Sequence, residues 1–292
     1  MDINTYKNKI KITEKLYKKL LKNTAPIRKD FLKIYKKLDK EELKSLDYYK
    51  GPDYRTINML LYENKLNLKY NNKFNNLYYL IQNEYDEVKK NIIVLDNIIN
   101  LYKSKKNITV FRGIFKDKKL DKLKVNQNIT FSNFLSTSLN IDIAFGFSRS
   151  NKNNIKLLEI TLPKGTNMFY LPWDIKHKNK IMNEKLRSSE FELLLGRNYE
   201  FKLDKISYID NKYFILDNMN WKKYLSSKFG KNKIKIFHLT FVKKNNSEIP
   251  TLNNVKKNID WNKFINEDNL KNLFYIPSKM FTNKIKLNNN IN

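Results

Sequence analysis

Apolar residues recur at helical spacing in the first third of the chain and alternate with polar residues in the part that follows. Residues 9–46 are predicted to be helical, with Pro26 as the break in the run. Further helices are predicted from Tyr54, over residues 77–103 and over residues 139–147. Strands are predicted over residues 108–111, 127–131, 155–162, 191–195, 199–203 and 234–242. Helices followed by strands predict an α+β fold.

The composition is that of a folded and strongly basic protein. Hydrophobic residues make up 41% of the chain and aromatic residues 13%, which is enough to build a core. The net charge is +29, and the lysines are spread along the whole length. Such a charge attracts nucleic acid, anionic membranes, acidic proteins and dinucleotides alike, so it selects none of these partners.

Several classes of protein are disfavoured by what the sequence lacks. Cysteine is absent and the histidines are His177 and His238, so disulfides, thiolate sites and a histidine-based zinc site are not expected. No apolar run approaches the ~20 residues of a membrane span. Lysines interrupt the apolar positions of residues 1–21, so no cleaved signal peptide is expected. We therefore expect a soluble protein that needs no metal.

Three short motifs carry the candidate chemistry. Arg112 ends a predicted strand beside Gly113, three hydroxyls follow at 136–138, and Glu190 precedes Glu192 by two positions. Residues two apart on a strand face the same side, so these carboxylates would lie roughly 6–7 Å apart. Each motif alone is typical of ordinary structure, namely a surface arginine, a capping turn and a solvated acidic strand. Their occurrence in this order is much rarer.

Together the motifs match the cleavage of a glycosidic bond next to a diphosphate. A carboxylate steadied by a serine hydroxyl can stabilise an oxocarbenium ion. The planar arginine fork donates to two phosphate oxygens, and glycine beside it would let a ligand approach the backbone. A second carboxylate on the same face can orient or deprotonate a nucleophile.

This order of motifs resembles the Arg, Ser-Thr-Ser, Glu-x-Glu signature of the mono-ADP-ribosyltransferases, a toxin-like family of bacterial exoenzymes. The resemblance covers about residues 45 to 243 and includes the stretches 54–61, 130–147, 158–166 and 190–195. It implies N-terminal helices followed by two perpendicular antiparallel sheets that form an NAD cleft. We therefore expect a catalytic domain over 47–243, preceded by a helical segment over 1–46 that the apolar spacing predicts and followed by a polar Lys/Asn-rich tail over 244–292.

The resemblance assigns roles to individual residues. Arg112 would bind the NAD phosphates, and the Gly113 backbone would meet the nicotinamide amide. Ser136 would hold Glu192, the catalytic carboxylate that bonds the nicotinamide ribose, while Glu190 would engage the acceptor. Further residues at NAD-contacting positions are Tyr49, Tyr54, Asn58, Asn133, Thr137, Ser138, Phe147 and Arg149. Relatives often carry the arginine three residues after the phenylalanine, whereas here it stands two residues after it.

The resemblance implies transfer of ADP-ribose from NAD to an unidentified target protein. Glutamate at position 190 is typical of the arginine-directed branch, since relatives with glutamine there tend to modify asparagine. The family also implies a toxin or effector that is secreted or delivered into a host cytoplasm. One alternative is an NAD glycohydrolase, in which water is the acceptor. Another is a basic nucleic-acid-binding protein without catalysis, although no specific nucleic acid is expected because no recognition module is legible.

Overall fold

The computed structural model describes residues 21–51, 53–62, 72–114, 118–148, 156–171, 191–210 and 233–251. The chain divides into two compact units, Met1–Tyr54 with Asn91–Ser247, and Arg55–Lys90 with Glu248–Asn292. The strands given below all lie in the first unit. The domain limits suggested by the sequence differ from these units and stay a prediction. No helix among the described residues is both long and apolar enough to cross a membrane.

Helices precede and interrupt a set of strands, as the sequence pattern predicts. The helices are α1 (described over residues 21–35), α2 (Lys40–Lys50), α3 (Tyr54–Tyr62), α4 (Asn72–Asn100), α5 (Lys118–Lys122) and α6 (Ile141–Phe147). The strands are β1 (Ile108–Ile114), β2 (Asn128–Phe131), β3 (Leu135–Ser138), β4 (Lys156–Leu162), β5 (Met168–Leu171), β6 (Glu192–Leu195), β7 (Tyr199–Asp210) and β8 (Lys233–Lys244). The α+β class is confirmed.

The predicted break at Pro26 is wrong. The chain stays helical across Pro26, and the interruption falls at residues 36–39, between α1 and α2. Asp39 accepts a hydrogen bond from the Glu42 amide (2.8 Å), and the Glu42 carboxylate accepts one from the Asp39 amide (2.9 Å). This reciprocal capping starts a new helix at Lys40 by satisfying its first free donors.

The strands form one mixed sheet in the order β2-β7-β8-β4-β1-β3-β6-β5. All pairs are antiparallel except β4 and β8, so the expectation of purely antiparallel sheets is corrected at this pair. Parallel neighbours need a long connection, and here the chain between them contains β5 to β7. The two expected sheets are joined through a single registered pair between β1 and β3, Phe111 opposite Ser138.

Helix α1 packs on the short strand β5 within the same unit. The Phe31 ring meets the Phe169 ring edge-on, with centroids 5.2 Å apart. The Tyr35 hydroxyl donates to the carbonyl of Tyr170 (3.1 Å). Burial raises the pKa of Tyr35 well above its usual range, and the negative charge of Glu192 adds to that rise. The N-terminal helix therefore forms part of the wall behind the strand that begins at Glu192.

The turn after β6 is tied down by a shielded ion pair. Asn198 adopts a left-handed conformation (φ 60°), one that asparagine tolerates, as the chain reverses. The neighbouring Arg197 donates through Nε to Asp96 of α4 (2.6 Å) and through Nη1 to the carbonyl of Ser247 (3.0 Å). These contacts hold the end of β6 against α4 and against the segment that follows β8.

Candidate active site

Glu192 is the first residue of β6 and lies between two neighbouring strands. Its register partners are Ser138 of β3 and Leu171 of β5, and its side chain is 12% exposed. The preceding Phe191 has a φ of 45°, outside the extended region. The carboxylate is therefore held on a paired strand, at the point where the ladder begins.

The three hydroxyls of β3 have three different partners. The Ser136 hydroxyl donates to Oε1 of Glu192. The Thr137 hydroxyl, which alternation places on the other side of the strand, donates to the carbonyl of Leu193 (2.7 Å). The Ser138 hydroxyl accepts from the amide of Asn140 (3.0 Å). Ser136 thus orients the carboxylate, whereas the other two hydroxyls stabilise the strand pair and the turn into α6.

Arg112 of β1 reaches the same residue from the other side. Its Nη1 donates to the carbonyl oxygen of Ser136 at 2.6 Å. Among the described residues, this is the only hydrogen bond that the guanidinium donates. Its other N–H groups can therefore donate to an anion. Strands β1, β3 and β6 therefore bring a permanent cation and a carboxylate to opposite sides of Ser136.

Gly113 is required because α6 packs directly on β1. A Cβ at this position would lie 2.5 Å from the amide nitrogen of Ser148 and closer still to the carbonyl oxygen of Ala144. The space on the Cβ side of Gly113 is therefore taken by backbone atoms of α6. The contact expected between the Gly113 backbone and the nicotinamide amide stays a prediction. The close packing sets the position of Phe147 at the end of α6, where its side chain is 58% exposed.

We expect Gly113→Ala to push α6 away from β1, because the new methyl group meets backbone atoms that cannot rotate aside. Overpacking of this kind costs about 1–3 kcal/mol, and thermal unfolding should show the loss. Gly51→Ala is the matched control, since its nearest neighbour would lie at 3.3 Å and its φ is −74°. Equal melting temperatures for the two variants would contradict the packing explanation.

An aromatic row runs from the core to the surface at the end of α2. Phe134 is fully buried, Tyr49 meets it edge-on at 5.8 Å, and Tyr54 lies 6.3 Å from Tyr49 and is 41% exposed. Next to Phe134, Asn133 is 1% exposed and donates to the Phe134 carbonyl (2.8 Å). Its Oδ1 is buried and has no partner among the described residues, which is costly unless a ligand supplies a donor.

Three of the residues singled out from the sequence, namely Asn58, Arg149 and Glu190, are not among those that the described residues bring together around Glu192. Asn58 lies on α3 in the second unit, where its Oδ1 is buried without a partner among the described residues. Glu190 and Arg149 lie outside the described residues. Strand β6 begins only at Glu192, and Phe191 has a left-handed backbone conformation. The expectation that Glu190 and Glu192 face the same side therefore no longer follows from alternation along one strand.

Sequence reasoning missed Lys50, which is the second partner of the carboxylate. Its ammonium contacts Oε2 of Glu192, and its side chain is 17% exposed. The chain holds 58 lysines and arginines, so nothing in the sequence distinguishes this one. Both oxygens of Glu192 are therefore engaged, one by a hydroxyl and one by a cation.

His238 has a polar setting that its sequence neighbourhood did not indicate. Its Nε2 lies 2.6 Å from the Ser207 hydroxyl, and its Nδ1 lies 3.0 Å from Oε1 of Glu159. The three side chains come from β7, β8 and β4, so only the fold assembles them. Four strand spacings of about 4.8 Å separate β8 from β6, so this group lies away from Glu192. Cross-strand pairs of this kind stabilise the partly exposed face of a sheet.

The described residues contain no group of three or more His, Cys, Asp or Glu side chains spaced to hold a metal ion.

A sequence profile of the ADP-ribosyltransferase exoenzyme family matches residues 27–223, which is more than half of the chain. No curated protein sequence matches the chain.

Bacterial toxins are among the solved structures to which this chain is similar. Plx2a, an ADP-ribosyltransferase toxin from Paenibacillus larvae, is 17% identical with a TM-score of 0.49, over 76% of this chain and 96% of that one. BECa, an ADP-ribosylating toxin of a C. perfringens binary enterotoxin solved with NADH, is 18% identical with a TM-score of 0.50, over 76% and 48%. Vis toxin, an ADP-ribosyltransferase from Vibrio splendidus, is 18% identical with a TM-score of 0.47, over 76% and 85%. At these identities, the likeness to BECa is one of fold.

Proposed function

Because this chain belongs to the ADP-ribosyltransferase exoenzyme family, and so to the enzymes that transfer ADP-ribose from NAD, we propose that it modifies arginine side chains of a target protein. NAD is the substrate that donates ADP-ribose, and nicotinamide is released. Glu192 is the catalytic carboxylate and Ser136 its orienting partner. Arg112 binds the diphosphate and Glu190 engages the acceptor.

The observation that carries this proposal is the arrangement around Ser136. Its hydroxyl donates to Glu192 and its carbonyl accepts from Arg112 (2.6 Å). NAD carries a negative diphosphate next to the ribose whose glycosidic bond must break. A fixed cation beside a fixed carboxylate complements both parts of that substrate.

The reaction follows from the charge that develops on the ribose. When the bond from ribose C1′ to the nicotinamide nitrogen breaks, its electron pair leaves with nicotinamide and the ribose becomes cationic. The carboxylate of Glu192 is largely shielded from water and already oriented by Ser136, so it stabilises that cation more strongly than water would. A guanidine nitrogen of the acceptor then bonds to C1′ and gives up a proton, and Glu190 is the proposed base.

The unpartnered side chain of Asn133 is a second observation that favours a dinucleotide ligand. Its buried Oδ1 lacks a donor among the described residues, and NAD offers N–H donors in its nicotinamide carboxamide and its adenine amino group. Tyr54 is 41% exposed and adds aromatic surface on which a planar ring can pack, and the buried Tyr49 supports it with a ring contact at 6.3 Å. We propose that the Gly113 backbone meets the nicotinamide amide and that Thr137, Ser138 and Phe147 shape the surrounding wall. For Asn58 and Arg149, contact with NAD stays the prediction made from the sequence.

An NAD glycohydrolase is the second candidate, because the contact between Ser136 and Glu192 serves bond cleavage whatever the acceptor. The nucleic-acid-binding alternative rests on the net charge of +29 and on the interleaved Tyr and Phe side chains, which could stack on bases. Incubating a cell lysate with the protein and labelled NAD tests between them. Mass spectrometry should find ADP-ribose on arginine, whereas free ADP-ribose alone would favour the glycohydrolase.

Arg112→Lys should weaken binding of the dinucleotide, because a point charge replaces a fork that donates to two phosphate oxygens. We expect the dissociation constant for NADH, measured by calorimetry, to rise roughly tenfold. Arg28→Lys is the matched control, since that guanidinium donates to the carbonyl of Leu21 (2.7 Å) on α1. Unchanged affinity in Arg112→Lys would remove Arg112 from the phosphate site.

A further inference from the structure

The ion pair between Lys50 and Glu192 conflicts with the reaction proposed above. Oε1 of Glu192 accepts from Ser136 and Oε2 contacts the ammonium of Lys50, so both oxygens are engaged. A carboxylate that must stabilise a cationic ribose already has a cation beside it. We propose that Lys50 is a displaceable counterion of Glu192, and that NAD binding requires its withdrawal. This inference rests on the proposed function.

The position of Lys50 allows the side chain to move while the backbone stays fixed. Lys50 is the last residue of α2, and the Gly51 amide caps the helix by donating to the Asp47 carbonyl (2.9 Å). The preceding Tyr49 is buried against Phe134. The lysine stem has four rotatable carbons and its ammonium has no fixed donor direction, so the head group can leave without a change in the helix.

Charge explains why Lys50 and the substrate exclude one another. The pair has no net charge, so with Lys50 in place Glu192 offers little stabilisation to an oxocarbenium ion. The oxidised nicotinamide ring is itself cationic and would be repelled by the ammonium. Both side chains are largely shielded, at 17% and 12% exposure, so water screens this repulsion only in part. Ribose and ammonium therefore compete for the same carboxylate oxygen.

Competition lowers the apparent affinity for the dinucleotide. The binding-competent state is the fraction of molecules in which Lys50 has left Glu192, and the apparent dissociation constant is the intrinsic one divided by that fraction. Removing the ammonium makes every molecule competent. The structure therefore assigns to Lys50 control over substrate affinity, separate from any part in bond breaking.

The test is binding of NADH, whose reduced ring is a poor leaving group, so the complex persists during calorimetry. Lys50→Met keeps the length of the stem and removes the charge, and the dissociation constant should fall about three- to tenfold. General electrostatics predicts the opposite sign, because NADH is an anion and the variant loses a positive charge. Lys40→Met, at the exposed first position of the same helix, is the matched control and should not tighten binding.

A double-mutant cycle separates this pair from other effects of the lysine. In a Glu192→Gln background the ion pair no longer exists, so adding Lys50→Met should leave the NADH affinity nearly unchanged. Lys50→Gln, which keeps a hydrogen-bond donor without a charge, is the second variant and should also bind NADH more tightly than wild type. Lys50→Arg keeps the cation and should not.

The outcomes distinguish this proposal from the one on which it rests. If wild-type protein binds NADH but Lys50→Met and Lys50→Gln bind it equally or more weakly, the counterion proposal is overturned and the proposed function stands. Tightening of the same size in the Glu192→Gln background would also overturn it. If folded wild-type protein does not bind NADH at all, the proposed function itself fails.

Discussion

Glu192→Gln should abolish both the transfer of ADP-ribose and the hydrolysis of NAD. Glutamine has nearly the same shape, and its amide oxygen can still accept from Ser136, so the geometry is kept while the charge is removed. The cationic transition state then loses its negative partner at a site largely shielded from water. A loss of several kcal/mol in transition-state stabilisation corresponds to a rate reduction on the order of 10³-fold or more.

Release of nicotinamide, followed by chromatography, measures this effect directly. Glu159→Gln is the matched control, because that glutamate lies on β4 of the same sheet and pairs with His238. It should keep its activity. Thermal unfolding must show that both variants are folded, and turnover near the wild-type rate in folded Glu192→Gln would remove Glu192 from catalysis.

Glu190→Gln should lose transfer to arginine and keep hydrolysis of NAD. Bond cleavage requires Glu192 and Ser136, whereas a guanidinium acceptor must also be held and deprotonated. A second carboxylate can do both, since it pairs with a guanidinium and accepts its proton. Water needs much less orientation, so hydrolysis is expected to continue. We expect the transfer rate to fall on the order of 10²-fold or more, the usual contribution of a general base.

Side-by-side assays decide between this division of labour and a merely structural acidic segment. One assay uses NAD alone, and the other adds agmatine, a small guanidine that mimics an arginine side chain. A structural role would make Glu190→Gln and Glu192→Gln affect both assays in parallel. Equal losses in both assays, or none in either, would therefore contradict the arginine assignment.

The longer strands could be predicted because their apolar residues are numerous and bounded by turns. Strands β3 and β5 were missed for physical reasons that differ. In β3, Ser136 and its neighbours are small polar residues that are more common in helix caps, and only pairing with β6 makes them a strand. Strand β5 is four residues long and buried on both faces, so it has no alternation to reveal it.

The features of the site that escaped prediction depend on contacts distant in sequence. The left-handed Phe191 shortens β6 at its start, and the parallel pairing of β4 with β8 is set by the whole sheet. Lys50 approaches Glu192 from a helix that precedes it by 142 residues, and its residue type is common throughout the chain. The motif residues Arg112 and Ser136 were easier, because order along the chain and residue type together indicate their chemistry.

The proposal at the centre of this account is that arginine accepts the ADP-ribose that this protein transfers from NAD. Mass spectrometry of a reaction containing the protein, NAD and agmatine tests it most directly. We expect ADP-ribosyl-agmatine as a product, with nicotinamide equal to the sum of this adduct and any free ADP-ribose, and neither product from Glu192→Gln. Free ADP-ribose without the agmatine adduct, or intact NAD in the presence of folded protein that binds NADH, would contradict it.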